Sequence, residues 1–160
     1  KLVQNIHNQD PLTAIGVDVM VGFPGETDQA FKNSYALIND LPVSYLHVFP
    51  FSLRPGTPAS RMKDRVDTRV IKTRAAELRQ LGAQKRYAFQ SGFLGERCVV
   101  LAERRDAPQE GIIKGTSDHY LPVHFPASDT QGGRLVEVEV DRLSNGALLG
   151  TMKGDAARFR

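Results

Sequence analysis

The sequence predicts an α/β segment followed by a small all-β barrel, and three observations support this fold class. Two apolar, strand-like runs, Ala14–Val21 and Tyr45–Phe51, each end in a glycine-proline loop, and a helical pattern lies between them. This order of strand, loop, helix, strand and loop is the repeating unit of parallel sheets and α/β barrels. After about residue 92 the hydrophobic period shortens to two, which is typical of strands.

The first loop leads directly into a helix. Thr27 is the predicted N-cap, Asp28 favours the positive end of the helix dipole, and Pro42 ends the helix. Its predicted buried stripe consists of Phe31, Tyr35, Ile38 and Leu41.

Both loops follow the carboxyl ends of strands, where parallel sheets and barrels hold their ligands. In the first loop, Gly22 and Gly25 let a ligand approach the backbone, and free amides there suit an anionic group. The Gly-Glu-Thr ending differs from the Gly-Lys-Ser/Thr ending of nucleotide-hydrolase loops, so that activity is disfavoured. The residues alone therefore predict a small-molecule site and leave its ligand open.

The excess positive charge lies in one predicted helix. Residues 61–92 contain nine basic and three acidic side chains, whereas 1–60 contain three and five, and 93–160 contain nine and ten. The apolar stripe of the helix over 61–90 consists of Val66, Val70, Ile71, Leu78, Leu81 and Phe89. Its other faces carry Arg69, Lys72, Arg74, Arg79, Lys85 and Arg86. Two interpretations stay open: a solvated surface helix packed on a sheet, or a positively charged surface that binds phosphates.

Five short runs separated by turn signals predict a small closed antiparallel barrel. They are Arg97–Arg104, Gly111–Thr116, His119–Phe125, Gly133–Asp141 and Ala147–Lys153. In the fourth run, alternation places Val136, Val138 and Val140 inward and two glutamates outward. Barrels of this kind often bind single-stranded or looped nucleic acid through exposed aromatic and basic side chains. The candidates are Lys114, His119, Tyr120, His124, Phe125 and Arg134, of which Tyr120 and Phe125 suit a core equally well.

The composition is that of a globular protein without a membrane span. The 160 residues are 41% hydrophobic and 24% charged, and no apolar run approaches the roughly 20 residues that cross a bilayer. A cytoplasmic location is the default expectation. Cys98 is the sole cysteine, so the chain forms no internal disulfide and cannot by itself hold zinc or an iron–sulfur cluster.

Two segments carry a resemblance to a known family. Asp18–Thr27 reads DVMVGFPGET and Tyr45–Ala59 reads YLHVFPFSLRPGTPA. Both motifs and their separation resemble the radical S-adenosylmethionine methylthiotransferases, and the barrel resembles the TRAM domain that contacts RNA in that family. The resemblance implies that residues 1–90 are the carboxyl-terminal part of a radical S-adenosylmethionine (β/α) barrel and that 91–160 are a TRAM domain.

The resemblance implies a parent enzyme that adds a methylthio group to a modified adenosine next to the tRNA anticodon, using S-adenosylmethionine and two 4Fe–4S clusters. Leu46–Phe49 and Gly115–Leu121 are similar to the branch that modifies threonylcarbamoyladenosine. Phe51 and Leu53 depart from the tyrosine and proline common at those positions. The isopentenyladenosine branch and the branch acting on a ribosomal-protein aspartate differ just before the Arg-Pro-Gly-Thr loop.

The resemblance also implies site residues. The cofactor contacts are expected at Met20, Gly22, Gly25, Glu26, His47 and Arg54. Glu26 is more typical of a residue that stabilises the loop. His47 could equally be a buried interior histidine. Arg54 could bind a cofactor carboxylate or an RNA phosphate, or form a salt bridge within the loop. The RNA contacts are expected at Arg74, Arg79, Lys85, Arg86, Lys114, His119, Tyr120 and Arg134.

One departure from the family is large. Neither the C-x3-C-x2-C motif of the radical cluster nor the three cysteines of the second cluster occurs in these 160 residues. The chain is therefore expected to be an inactive fragment of a longer enzyme, without a metal site of its own, and a natural paralogue without the clusters is the other explanation. An open barrel edge would permit a fragment dimer. The alternative is a non-catalytic RNA-binding module that acts through the barrel and the basic helix 61–90.

Overall fold

The computed structural model describes residues 1–103, 111–127 and 132–156. The chain forms two compact units, Lys1–Arg86 and Tyr87–Arg160. Within the described ranges, no helix combines the length and the apolar character that a membrane crossing requires.

The first unit combines two strands with helices. Its elements are α1 (Leu2–Gln9), β1 (Gly16–Val21), α2 (Asp28–Asp40), β2 (Tyr45–Pro50), a short 3₁₀ turn (Pro58–Arg61) and α3 (Thr68–Ser91), which continues into the second unit. The strand, helix, strand order and the N-cap of α2 are confirmed, since the Thr27 hydroxyl accepts a hydrogen bond from the Ala30 amide at 3.1 Å. The sequence pattern did not predict α1.

Strands β1 and β2 pair in parallel, with Gly16 opposite Tyr45 and Val21 opposite Pro50. Side chains alternate across each strand, so one face of the pair packs onto the helices and the other does not. The buried core consists of Val21, Phe31, Ile38, Val43, Ala75, Leu78 and Leu81, with Val17, Val19, Leu46 and Val48 among the partly buried residues packed against it. This core therefore holds the carboxyl ends of both strands in fixed register.

The predicted helix over 61–90 begins too early, because α3 starts only at Thr68. Asp67 marks the start: its side chain accepts from the Arg69 amide at 2.7 Å and its carbonyl accepts from the Ile71 amide at 3.0 Å. Upstream of this cap, the Asp64 carbonyl accepts a hydrogen bond from the Gly25 amide at 2.7 Å. The residues between the 3₁₀ turn and Asp67 are thus not helical, and Asp64 among them contacts the first glycine-proline loop.

The second unit is a closed barrel of five strands, as predicted. They are β3 (Arg97–Ala102), β4 (Ile112–Ser117), β5 (Pro122–Pro126), β6 (Leu135–Ser144) and β7 (Ala147–Asp155), in the spatial order β3-β4-β5-β7-β6. Val136, Val138 and Val140 are buried, and Glu137 and Glu139 between them are partly exposed, which confirms the predicted alternation.

The expectation of a fully antiparallel barrel is wrong for one pairing. Strands β5 and β7 run parallel, with Val123 opposite Leu148 and His124 opposite Leu149. The remaining neighbours pair antiparallel. The reason is parity: an odd number of strands cannot alternate in direction around a closed ring, so a five-stranded barrel contains a parallel pair.

Two glycines of β7 give a matched test of this closure. A Cβ at Gly150 would overlap the Glu139 carbonyl oxygen on β6, whereas a Cβ at Gly154 has no neighbour within 4 Å. We expect Gly150→Ala to lower the free energy of unfolding by about 1–3 kcal/mol, because the two backbones must separate. Gly154→Ala is expected to change it by less than about 0.5 kcal/mol. Urea denaturation measures both, and equal stabilities would contradict the packing described.

Candidate functional site

A buried ion pair fixes the first glycine-proline loop. The Glu26 Oε2 atom accepts from the Gly22 amide at 2.7 Å and from Arg74 Nη1 at 2.6 Å. Arg74 Nη1 also donates to the Glu26 carbonyl at 3.0 Å, and Nη2 donates to Asp28 Oδ1 at 2.5 Å. One arginine of α3 therefore holds the loop and the first turn of α2 together.

Arg74 lies inside the first unit, with 5% of its surface exposed. Its guanidinium also lies over the Phe31 ring, 5.3 Å from the ring centroid. Burial opposes the charge, but the hydrogen bonds to Asp28 and Glu26 outweigh it, so the pKa of Arg74 is raised. Sequence reasoning placed Arg74 among the RNA contacts, and the structure places it beneath the loop instead.

The two loop glycines have different roles. Gly22 is buried at φ +80°, and a Cβ there would overlap the Ile71 side chain of α3. Gly25 is exposed at φ +88°, with no atom within 4 Å of a Cβ position. The left-handed backbone favours glycine at both positions. Gly22 therefore permits close packing of the loop on α3, and Gly25 leaves open space at the loop tip.

The second loop lies beside the first. The Phe51 amide donates to the Val21 carbonyl at 2.7 Å, and the Phe23 and Phe51 rings meet edge to face with centroids 5.4 Å apart. Arg54 is exposed on this loop, and its carbonyl accepts from the Thr57 hydroxyl at 2.8 Å. The structure thus brings both motif loops to one end of the sheet, as their positions after parallel strands predict.

One face of the β1–β2 pair does not pack onto the helices. It consists of Gly16, Asp18 and Met20 on β1, in register with Tyr45, His47 and Phe49 on β2. Met20 is 55% exposed and Phe49 is 50% exposed. The His47 ring lies between those of Tyr45 and Phe49, with centroids 5.3 and 6.5 Å apart.

This uncovered face joins two of the predicted cofactor contacts, Met20 and His47. Sequence reasoning missed Asp18 and Phe49, which lie beside them on the same face. The period-two alternation of β1 and β2 could have found both, because residues two apart share a face of a strand.

Arg79 and Arg86 of α3 line a shallow pocket of about 240 Å³ together with Tyr45 and Leu46. Both arginines are exposed, as an RNA-phosphate contact requires. Lys85 is engaged elsewhere: its Nζ donates to the carbonyls of Asn39 and Leu41 at the end of α2, at 2.5 and 2.7 Å. Burial lowers the pKa of Lys85, and nearby Asp40 opposes that shift.

The hairpin of β4 and β5 carries the basic and aromatic candidates of the barrel. Lys114 and His124 are directly opposite each other in register, and burial together with the Lys114 charge lowers the pKa of His124. Tyr120 lies in the turn and is 89% exposed. His119 packs against Phe93, with ring centroids 4.9 Å apart. Phe125, which suited either role, is buried in the core.

The outer face of β6 and β7 carries acidic side chains that form ion pairs with basic neighbours. Glu139 lies 3.7 Å from Arg97 Nε and 3.3 Å from Lys153 Nζ. Arg134, a predicted RNA contact, lies 3.5 Å from Asp155. Exposed pairs of this kind contribute little stability, but they reduce the charge available to a phosphate.

Three potential metal ligands meet beneath the β4–β5 turn. One donor atom each from Cys98, Asp118 and His119 lies within 4.8 Å of the others. Burial, followed by the charges of Asp118 and Glu96, raises the pKa of Cys98 to about 11, so the thiol is protonated near neutral pH. His119 Nδ1 and Asp118 Oδ1 are 2.8 Å apart and engage each other. A single buried cysteine does not fit an iron–sulfur cluster, which takes several thiolates.

Comparison with curated proteins finds two informative relatives. The chain is 36% identical, over 132 residues, to the threonylcarbamoyladenosine tRNA methylthiotransferase MtaB of Bacillus subtilis (strain 168), a match that covers 81% of this chain and 29% of that protein. It is 33% identical, over 151 residues, to the tRNA-2-methylthio-N(6)-dimethylallyladenosine synthase of Protochlamydia amoebophila (strain UWE25), covering 94% of this chain and 34% of that protein. The chain thus spans about a third of the length of these relatives. A search of protein-family models gives no match.

Removing the buried guanidinium tests the bracing of the loop. We expect Arg74→Met to lower the free energy of unfolding of the first unit by about 3 kcal/mol, since Glu26 is left without its partner in a largely buried position. Arg79→Met, on the exposed side of the same helix, is the matched control and is expected to cost less than about 0.5 kcal/mol. In the double variant Arg74→Met/Glu26→Gln, we expect a cost smaller than the sum of the single costs. Additive costs in urea denaturation would contradict a shared interaction.

The lowered pKa of His124 predicts that the stability of the barrel depends on pH. Its pKa in the folded state is lowered from 6.5, so the unfolded state takes up a proton first as the pH falls. The free energy of unfolding should therefore decrease as the pH falls through about 6.5 toward the folded-state pKa. His124→Gln should weaken this decrease, and Lys114→Met should weaken it in part. Denaturation at about pH 7.5 and about pH 5.5 measures it, and an unchanged difference between the two pH values in His124→Gln would exclude this origin.

Proposed function

Since the chain belongs to the tRNA methylthiotransferase family, we propose that it supplies cofactor- and RNA-binding surface to an enzyme that adds a methylthio group to a modified adenosine beside the tRNA anticodon. One observation carries the proposal: the two loops that bear the family's motifs lie side by side at the end of a sheet with one uncovered face. Such an edge is where α/β enzymes bind their ligands.

We propose that residues 1–90 are the late part of a radical S-adenosylmethionine barrel and that 91–160 are a TRAM domain. The parallel β1–β2 pair with its helices supports the first assignment, and the closed five-stranded barrel supports the second. Among the described residues, β1 and β2 pair only with each other. Their free edges would accept further strands of the parent barrel or a second copy of this chain.

The uncovered face fits the adenosyl part of S-adenosylmethionine. Met20 and Phe49 offer exposed apolar surface, and Asp18 and His47 offer polar groups between them. When bound, S-adenosylmethionine supplies the methyl group that the transfer requires. The open tip at Gly25 leaves room for its polar part.

The chain's own residues would orient both ligands. Glu26, with 14% of its side chain exposed, acts indirectly by holding the Gly22 amide and Arg74. Arg54, exposed on the second loop, is placed to bind a carboxylate or a phosphate in bidentate fashion. Glu26 is thus a positioning residue, whereas Arg54 is a binding residue.

The clusters of the family do not fit this chain. Cys98 is the sole cysteine, it is 2% exposed, and its pKa is raised. We therefore propose that both 4Fe–4S clusters are held by cysteines outside these 160 residues and that the chain alone is inactive. No step through a cluster is assigned to its residues.

We propose fewer RNA contacts than the sequence predicted. Arg79 and Arg86 are exposed in the first unit, Lys114 is exposed in the second, and His119 is partly exposed there. Arg74, Lys85 and Arg134 are engaged by the protein and are left out of the proposed contacts. A tRNA substrate accords with the expected cytoplasmic location.

We favour threonylcarbamoyladenosine as the modified base. The support is the similarity of Leu46–Phe49 and Gly115–Leu121 to that branch, together with the name of the Bacillus subtilis relative. The Protochlamydia amoebophila relative bears the name of a dimethylallyladenosine enzyme, so the test must distinguish the two bases.

A chimera tests the function directly. The matched 132 residues of the Bacillus subtilis relative are replaced by those of this chain, and the chimera is expressed in cells that lack the relative's gene. We expect nucleoside mass spectrometry of the tRNA to show methylthiolated threonylcarbamoyladenosine, because this chain rebuilds the missing surface.

The unaltered relative serves as the positive control, and the chimera with Arg54→Met serves as the site control. A folded chimera that binds its iron and gives no methylthio-nucleoside would contradict the proposed function. Methylthiolation of dimethylallyladenosine alone would keep the function and overturn the choice of base.

A further inference from the structure

Tyr120 has the most exposed side chain among the large apolar residues that the structure describes, at 89%. Its backbone lies in the left-handed region, at φ +58°. This region disfavours bulky residues and suits glycine or asparagine. A large aromatic ring thus occupies a strained position without being buried by the fold.

The turn that carries Tyr120 is firmly built. The Ser117 hydroxyl oxygen accepts from the amides of Leu121 and His119 at 3.1 and 3.3 Å, and the Ser117 amide donates to the Leu121 carbonyl at 2.9 Å. The Tyr120 amide donates to the Ser117 carbonyl at 2.9 Å. Since Ser117 is buried, the ring is presented outward from a fixed backbone.

The neighbours of Tyr120 in the turn are directed to other partners. The His119 ring packs edge to face on Phe93, and its Nδ1 engages Asp118. Tyr120 is therefore separate from the interacting residues Phe93, Asp118 and His119. Strain held at an exposed aromatic residue supports a role in binding, because the fold gains no burial from the ring.

An exposed ring and an exposed lysine on one hairpin favour RNA as the ligand. The β4–β5 hairpin that presents Tyr120 carries Lys114 as an exposed basic group. Asp118, the acidic residue of the turn, is engaged by His119, and His124 opposite Lys114 has a lowered pKa and adds no positive charge near neutral pH. Unpaired bases stack on exposed aromatic rings, and basic groups nearby hold the phosphates. A base-paired helix hides the base faces that such a ring would contact.

We propose that Tyr120 is a stacking platform for one unpaired base of an RNA loop. The proposal rests on the proposed RNA-binding function and adds the contact that selects a looped over a base-paired RNA. The ring provides the π-face, and the fixed turn reduces the conformational entropy lost on binding.

Binding of the 160-residue chain to two RNAs tests this contact. One probe is an unmodified tRNA transcript, and the other is a fully paired duplex of similar length. We expect the chain to prefer the tRNA, and Tyr120→Gly to weaken tRNA binding at least about fivefold while leaving duplex binding unchanged. Tyr120→Phe keeps the π-face and should retain the affinity.

Glycine at this position separates stacking from folding. Because glycine relieves the left-handed strain, Tyr120→Gly should unfold at an equal or higher urea concentration than the wild type. Tyr87→Ala removes the other highly exposed tyrosine, at 65%, as a matched control. In a salt series, Tyr120→Gly should keep the slope of log affinity against log salt, whereas Lys114→Ala should reduce it by about one phosphate contact.

The outcomes distinguish the two proposals. If the wild-type chain binds tRNA and Tyr120→Gly binds it equally well, the stacking proposal is overturned and the RNA-binding function stands. A wild-type chain that binds neither RNA overturns both. A loss of affinity in Tyr120→Gly that appears equally with the duplex also overturns the stacking proposal, since a duplex offers no free base face.

Discussion

The salt bridge between Arg74 and Glu26 is the interaction on which the candidate site depends. Its two partners are 48 residues apart, and the same carboxylate oxygen accepts the Gly22 amide. A buried charge needs an oppositely charged partner at hydrogen-bonding distance, because the cost of desolvating the charge otherwise exceeds the attraction. The bridge thereby fixes the first loop on α3. The Phe23–Phe51 ring contact and the hydrogen bond from the Phe51 amide to the Val21 carbonyl hold the second loop beside the first.

Sequence patterns predicted the structure correctly where it depends on interactions between residues close in the sequence. Alternation predicted the inward valines of β6, and the Thr27 cap predicted the start of α2. They did not predict features that depend on contacts between residues far apart in the sequence. The burial of Arg74 depends on Glu26 and Asp28, and the periodicity of α3 gives no sign of these partners. The parallel β5–β7 pairing depends on closure of the ring, which no single strand encodes.

The candidate site was partly predictable for the same reason. Met20 and His47 were predicted from their motifs. Asp18 and Phe49 share a strand face with them by alternation, and the register of β1 with β2 shows that the four residues lie on one face of the pair. Among the basic residues, charge alone could not separate Lys85, which caps the end of α2, from the exposed Arg79 and Arg86. The sequence gives the number of basic side chains. The fold shows which of them are exposed and could bind a phosphate.

Two-dimensional amide NMR can map where tRNA contacts the chain. On titration of the 160-residue chain with an unmodified tRNA transcript, we expect the shifted amides to cluster around Arg79 and Arg86 on α3 and around the β4–β5 hairpin that carries Lys114 and Tyr120. The outer face of β6 and β7, where Glu137 and Glu139 are paired with basic side chains, should remain unshifted. Shifts centred on that face, or no shifts at saturating tRNA, would contradict the assignment of the RNA contacts.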